Sequence, residues 1–188
     1  YGGAKHGVTM KQMEQGKCDE IPIKDPVVCK EARENFKRAY ELTGALGALR
    51  NLAYTEKGLG LVASAARHFR DVAREAPKDP RPERQAWAEF AKKEAAELEP
   101  RVPHLVVKVV EKLPGLKITL DGEPLKDAAW NTAIDVDPGK HSVHAEAPGR
   151  LNFEGSVTIA EKQEKSIAVV LEVDTAPVAA DKKAPSKV

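Results

Sequence analysis

The chain has 188 residues, enough for one large domain or two small ones. Its 30 basic and 29 acidic side chains leave a formal net charge of +1, so bulk electrostatics favours neither nucleic acid nor an anionic membrane surface. No apolar run approaches the roughly 18 to 20 residues a membrane-spanning helix needs. The sequence lacks an initiator methionine and a basic-then-apolar leader, which is expected of a processed or trimmed chain; removal of a secretory signal is one explanation. The first segment, residues 1–27, opens with the glycine- and lysine-bearing YGGAKHGVTM and contains a cysteine loop.

Cys18 and Cys29 are the only two cysteines. Their spacing is neither the C-x-x-C of redox and zinc sites nor the C-x-x-C-H of haem attachment, and no histidine lies between them. Pro22 and Pro26 make the intervening loop too irregular for one helix. A structural disulfide is the expected use, worth about 2 to 3 kcal/mol through loop closure. It would place the protein outside the reducing cytoplasm. Two free thiols remain the alternative.

Residues 28–100 read as helical. Ala32, Phe36, Ala39 and Tyr40 recur at helical spacing, as do Ala65, Phe69, Val72 and Ala73. Ala32 to Ala65 and Phe36 to Phe69 are the same 33 residues, the period of a helix-turn-helix solenoid. Over 46–79, Leu52, Ala53, Gly60, Ala65, Phe69, Val72 and Pro77 fall in register with the tetratricopeptide repeat, and this stretch resembles one. Glu56 stands where the repeat has a tyrosine, and Val72 where it has an alanine. The resemblance implies that the first helix of the unit lines a groove through Arg50, Asn51, Tyr54 and Lys57, where a carboxylate or acidic peptide would be held by charge-assisted hydrogen bonds. A solvated helix face is the bland alternative. After Pro77, a helix with Trp87, Phe90, Ala91, Ala95 and Leu98 on one stripe, and a Glu89–Lys93 pair outside, is expected to cap the solenoid.

Pro100 and Pro103 end the helices, and from His104 the period becomes two. Leu116, Ile118 and Leu120 precede an Asp-Gly turn; Ile134 and Val136 precede Asp137-Pro138-Gly139. Val143, Ala145 and Ala147, then Leu151, Phe153, Val157 and Ile159, then Ile167, Val169, Leu171 and Val173 continue the alternation. Six or seven short strands predict a small antiparallel β-sandwich over 104–173, and with the helices an α+β chain. The stretches ITLDGEPL and TAIDVDPGKHSVHAEAPGR resemble the PEGA-type β-domain of bacterial envelope proteins, although LPGL replaces the usual tetrapeptide. The pairing of tetratricopeptide repeats with such a domain implies adhesion or assembly.

Sites for chemistry are sparse. His141 and His144, three apart on a strand, are expected on opposite faces and so cannot chelate one ion. His68 has no partner carboxylate at helical spacing that would make a catalytic case, the serines lack a nucleophile context, and no P-loop, dinucleotide or metalloprotease motif occurs. No catalytic residue, cofactor or metal is expected. Trp130 is either an exposed contact for a sugar or protein, or a core plug. The tail 174–188 is rich in alanine, proline and lysine, and such ends become ordered against a neighbour's surface. The expectation is thus a non-enzymatic interaction subunit of a periplasmic or extracellular bacterial assembly, bound to other protein subunits. A cell-wall polysaccharide module and a cytosolic scaffold are the rivals.

Overall fold

The computed structural model describes residues 26–175, with side chains from Cys29 onward. The chain adopts an α+β fold. Among the described residues five α-helices come first: α1 (Pro26–Thr43), α2 (Leu46–Gly58), α3 (Val62–Glu75), the single-turn α4 (Pro82–Gln85) and α5 (Trp87–Leu98). Pro26 sits at the start of α1, where its missing N–H costs nothing. The α2–α3 hairpin turns through Gly60 at φ +74, a conformation glycine takes without strain. Helix α3 packs against both α2 and α5. Ala53, Ala65 and Phe69 are fully buried between them, the alanines allowing close approach and the ring filling what remains. On α5 the buried stripe is Ala88, Ala91, Ala95 and Leu98. Trp87 and Phe90 fall outside it, and the expected Glu89–Lys93 pair is replaced by Glu89–Lys92 and Lys93–Glu97.

Seven strands follow among the described residues: β1 (His104–Val109), β2 (Lys117–Leu120), β3 (Glu123–Pro124), β4 (Ala133–Asp135), β5 (Gly139–Glu146), β6 (Phe153–Ile159) and β7 (Glu164–Val169). They form a three-stranded sheet, β4-β1-β7, and a four-stranded sheet, β3-β2-β5-β6, around one apolar core. The β2–β3 hairpin turns through Asp121 and Gly122, both at positive φ, as a two-residue I′ turn requires. One pairing departs from the antiparallel expectation: β1 runs parallel to β7, His104 opposite Glu164. Alternation in sequence decides which face of a strand is buried, but carries no information on the direction of its neighbour. Leu151 lies outside the strands and is exposed, as is Val173.

Gly155, on β6, faces the opposite sheet. A Cβ there would stand 2.7 Å from Ile167 Cδ1 and 2.8 Å from the Phe153 ring. Gly155→Val is therefore expected to lower stability by about 1–3 kcal/mol through overpacking, measured as a reduced urea midpoint at unchanged slope. A midpoint equal to wild type would show that the two sheets yield at this contact.

Cys29 is buried in the first turns of α1. Its expected partner Cys18, like the rest of residues 1–25 and the tail from 176, lies outside the described residues.

Candidate functional site

Helices α2 and α5 bring together an arginine–aromatic cluster. The Arg50 guanidinium lies 4.6 Å from the Trp87 ring centre and 5.2 Å from that of Tyr54, while Arg84 stands 5.4 Å from Trp87. Tyr54 meets Phe69 edge-on at 5.1 Å and leans on Phe90 at 5.9 Å. Phe90 remains 43% exposed. Arginine is favoured over lysine for such stacking because its planar, weakly hydrated cation retains its charge against a π face.

The four residues expected to line an open groove are thus deployed differently. Tyr54 is buried. Lys57 Nζ lies 2.5 Å from Glu94 Oε2, an ion pair reaching across to α5. Arg50 is stacked, and Asn51 is half-buried with its carbonyl accepting the Thr55 hydroxyl. The physical reason is the covering helix: α5 reaches across this face of α2 through Phe90 on Tyr54 and Glu94 on Lys57, so it is not left as an open wall. Trp87, Arg84 and Phe90 belong to the same surface, yet read in sequence only as a capping stripe and a helix start. The signal that would have found them is the spacing of Arg84, Trp87 and Phe90, three residues apart and so about one helical turn from one to the next.

Arg84 also borders an open cleft of about 570 Å³. Tyr40, Leu46 and Leu49 form its apolar side, and Asp79 and Arg81 its polar rim. Asp79 accepts two hydrogen bonds from the Arg81 guanidinium, each 2.7 Å, and one from the Arg81 backbone N–H at 3.0 Å. The Arg81 side-chain bonds hold its carboxyl far below the usual range, so the rim keeps both charges at any ordinary pH.

A second constellation lies beneath the surface. Glu56 is fully buried and accepts from Arg33 Nε at 3.1 Å; its other oxygen lies 2.5 Å from His68 Nδ1. His68 therefore does have a carboxylate partner, supplied by α2 across the hairpin rather than from its own helix. The trio joins α1, α2 and α3. A carboxylate orienting an imidazole is also an arrangement for base chemistry, but among the described residues no hydroxyl or thiol is hydrogen-bonded to His68, and the geometry supports a structural ion-pair network.

In the sandwich, Trp130 is a core residue whose Nε1 donates to the Leu125 carbonyl at 3.2 Å, so it is no exposed contact. His141 points into the sandwich and His144 out of it, as expected. The outer face of β2, β5 and β6 carries a second cleft of about 570 Å³ among Thr119, Ser142, His144, Glu154 and Ser156. Among the described residues no three histidine, cysteine or acidic side chains cluster as metal ligands, and no helix is long and apolar enough to cross a membrane.

No family model matches the chain, and no curated protein matches it.

Proposed function

We propose that the protein is a non-enzymatic interaction subunit that docks a partner protein through its helical unit, within a bacterial envelope or extracellular assembly. The observation that carries this is the surface formed by Phe90, Trp87, Arg50 and Arg84 beside the cleft floored by Tyr40, Leu46 and Leu49. Tryptophan, tyrosine and arginine are the side chains that dominate binding energy at protein interfaces, because they bury much area with little loss of conformational freedom. Stacked guanidinium groups next to an apolar cleft suit a partner segment that presents a carboxylate beside an apolar side chain. The resemblance to a tetratricopeptide unit followed by a PEGA-type domain supports the assembly role and the bacterial setting.

The glycan alternative needs exposed aromatic side chains on the sandwich. From His104 to Thr175 the aromatic rings are Trp130 and Phe153, and neither is exposed. Protein docking is favoured on that ground.

A photo-crosslinking residue at position 90, compared with one at Lys117 on the outer face of the sandwich, tests the reading in the native source. A discrete adduct at 90 that disappears with Arg84→Glu is expected. Adducts at 117 alone would move docking off the helices, and an adduct at 90 indifferent to Arg84→Glu would take the arginine out of the contact. The envelope or extracellular setting rests on the cysteine pair, and the intact mass with and without reductant tests it: a two-dalton difference supports an oxidising compartment, two thiols a cytosolic scaffold.

A further inference from the structure

Helix α3 begins without a cap of its own. Its preceding residue is Leu61, which has no side-chain oxygen, and no neighbouring side chain in sequence fills the role. The cap comes from the sandwich instead. Asp137, in the loop between β4 and β5, accepts the backbone N–H of Ala63 at 2.9 Å and of Ser64 at 3.0 Å through one oxygen; the other takes the Ser64 hydroxyl at 2.6 Å. A carboxylate at this end of a helix also meets the positive end of its dipole.

What holds Asp137 there is His141. The His141 Nε2 lies 2.7 Å from the Asp137 backbone carbonyl, and Nδ1 lies 2.6 Å from Asp121 Oδ2. A carbonyl and a carboxylate only accept, so both ring nitrogens must carry a hydrogen, and the form that satisfies both contacts is the imidazolium. Asp121 is itself held, its other oxygen accepting the Ser142 N–H at 2.8 Å.

We propose that the seam between the helical unit and the sandwich is a pH-sensitive clasp: protonated His141 fixes the loop from which Asp137 caps α3, and loss of that proton releases the cap. This goes beyond the docking reading and does not depend on it. Once neutral, His141 presents a lone pair to one of two oxygens less than 3 Å away, and that contact must open.

The charged groups facing His141 are Asp121, from the β2–β3 turn, and Asp137, from the β4–β5 loop; beyond Asp137 stands the N-terminus of α3. Burial pulls the imidazolium down, but the Asp121 hydrogen bond, the Asp137 carbonyl and the two negative charges outweigh it, so the group titrates above its ordinary value of 6.5. A raised folded value means that the clasp contributes its full stability below about pH 6.5 and loses it as pH climbs through the folded value. Two other ion pairs among the described residues span the seam: Arg101 grips Glu161 with two bonds of 2.9 and 2.8 Å, which keep the arginine's value raised and the glutamate's lowered, and Arg70, two turns along α3, stands 3.5 Å from Asp135 of β4. Deprotonation therefore loosens the first turn of α3 while the Arg70 and Arg101 contacts keep the two units tethered.

The test is amide hydrogen exchange by NMR on the full chain between about pH 5.5 and 9, corrected for intrinsic rates, with the His141 ring followed in parallel. Protection of the Ala63 and Ser64 amides is expected to fall about tenfold in step with the ring's titration, while Val72 in the same helix holds. In Asp121→Asn, the shared midpoint is expected to move to lower pH. A ring that titrates below 6.5, protection that stays flat across the titration, or a midpoint unmoved in Asp121→Asn would each overturn the proposal. If that variant does not fold, the two wild-type titrations decide.

Discussion

Phe69→Ala is expected to cost about 3–5 kcal/mol, enough to unfold a marginal helical unit. Phe69 is fully buried where α2, α3 and α5 meet. Its ring carries the edge-on contact with Tyr54, and Tyr54 in turn supports Phe90. Removing it deletes area, leaves a cavity in a core of alanines that cannot expand to fill it, and takes away an aromatic pair worth about 0.5–1.5 kcal/mol more. Urea unfolding followed by helical circular dichroism should show a large drop in midpoint. A loss under about 1 kcal/mol would mean that the three helices collapse onto the vacancy, and that their packing is far less rigid than described. The same variant should also loosen the docking surface, since Phe90 leans on Tyr54, and Arg50, which stacks on Trp87, lies against Tyr54 too.

The second large effect concerns the buried charge. Arg33→Met leaves Glu56 fully buried with His68 as its remaining partner, and is expected to destabilise by about 3 kcal/mol. The cost arises less from the lost attraction than from a carboxylate deprived of half its solvation in a medium that offers no water. Arg33→Met/Glu56→Met removes that liability and should recover most of the loss, despite carrying one more substitution. A double-mutant cycle by urea unfolding measures the coupling directly. Two single variants whose effects simply add would show that Arg33 and Glu56 do not act as a pair.

Much of the architecture was legible because apolar periodicity speaks about faces. The 33-residue offset between Phe36 and Phe69 and the small residues Ala53 and Ala65 marked the helices; alternation through Val143, Ala145, Val157 and Ile159 marked the strands. Asp121-Gly122 announced its turn because few other dipeptides accept two positive φ values. What escaped was whatever one element supplies to another. Asp137 read as part of a turn, and nothing local says that its side chain ends a helix more than seventy residues earlier. An unassisted start at Leu61 was the available hint. His68 looked solitary because its partner Glu56 lies across the hairpin, and Glu56 itself registered only as a deviation from the repeat. Tyr54 and Lys57 occupy the positions of groove residues, but a covering helix turned them inward to Phe69 and Glu94. Trp130 was ambiguous in sequence for a sound reason: an indole suits a core and a surface equally well until an acceptor such as the Leu125 carbonyl is in place.

The parallel pairing of β1 with β7 has a bearing on the order in which the molecule is made. The first strand of the sandwich to leave the ribosome is central in its sheet, and one of its neighbours is the last of the described strands to appear. Until Glu164–Val169 is synthesised, one edge of β1 stays open and the sheet consists of β1 and the three-residue β4. The helices rest on local contacts and can gather early, whereas the sandwich must await its final strand. A nascent chain arrested before residue 164 would therefore offer chaperones, or a sister chain, an exposed β1 edge that the finished protein never shows.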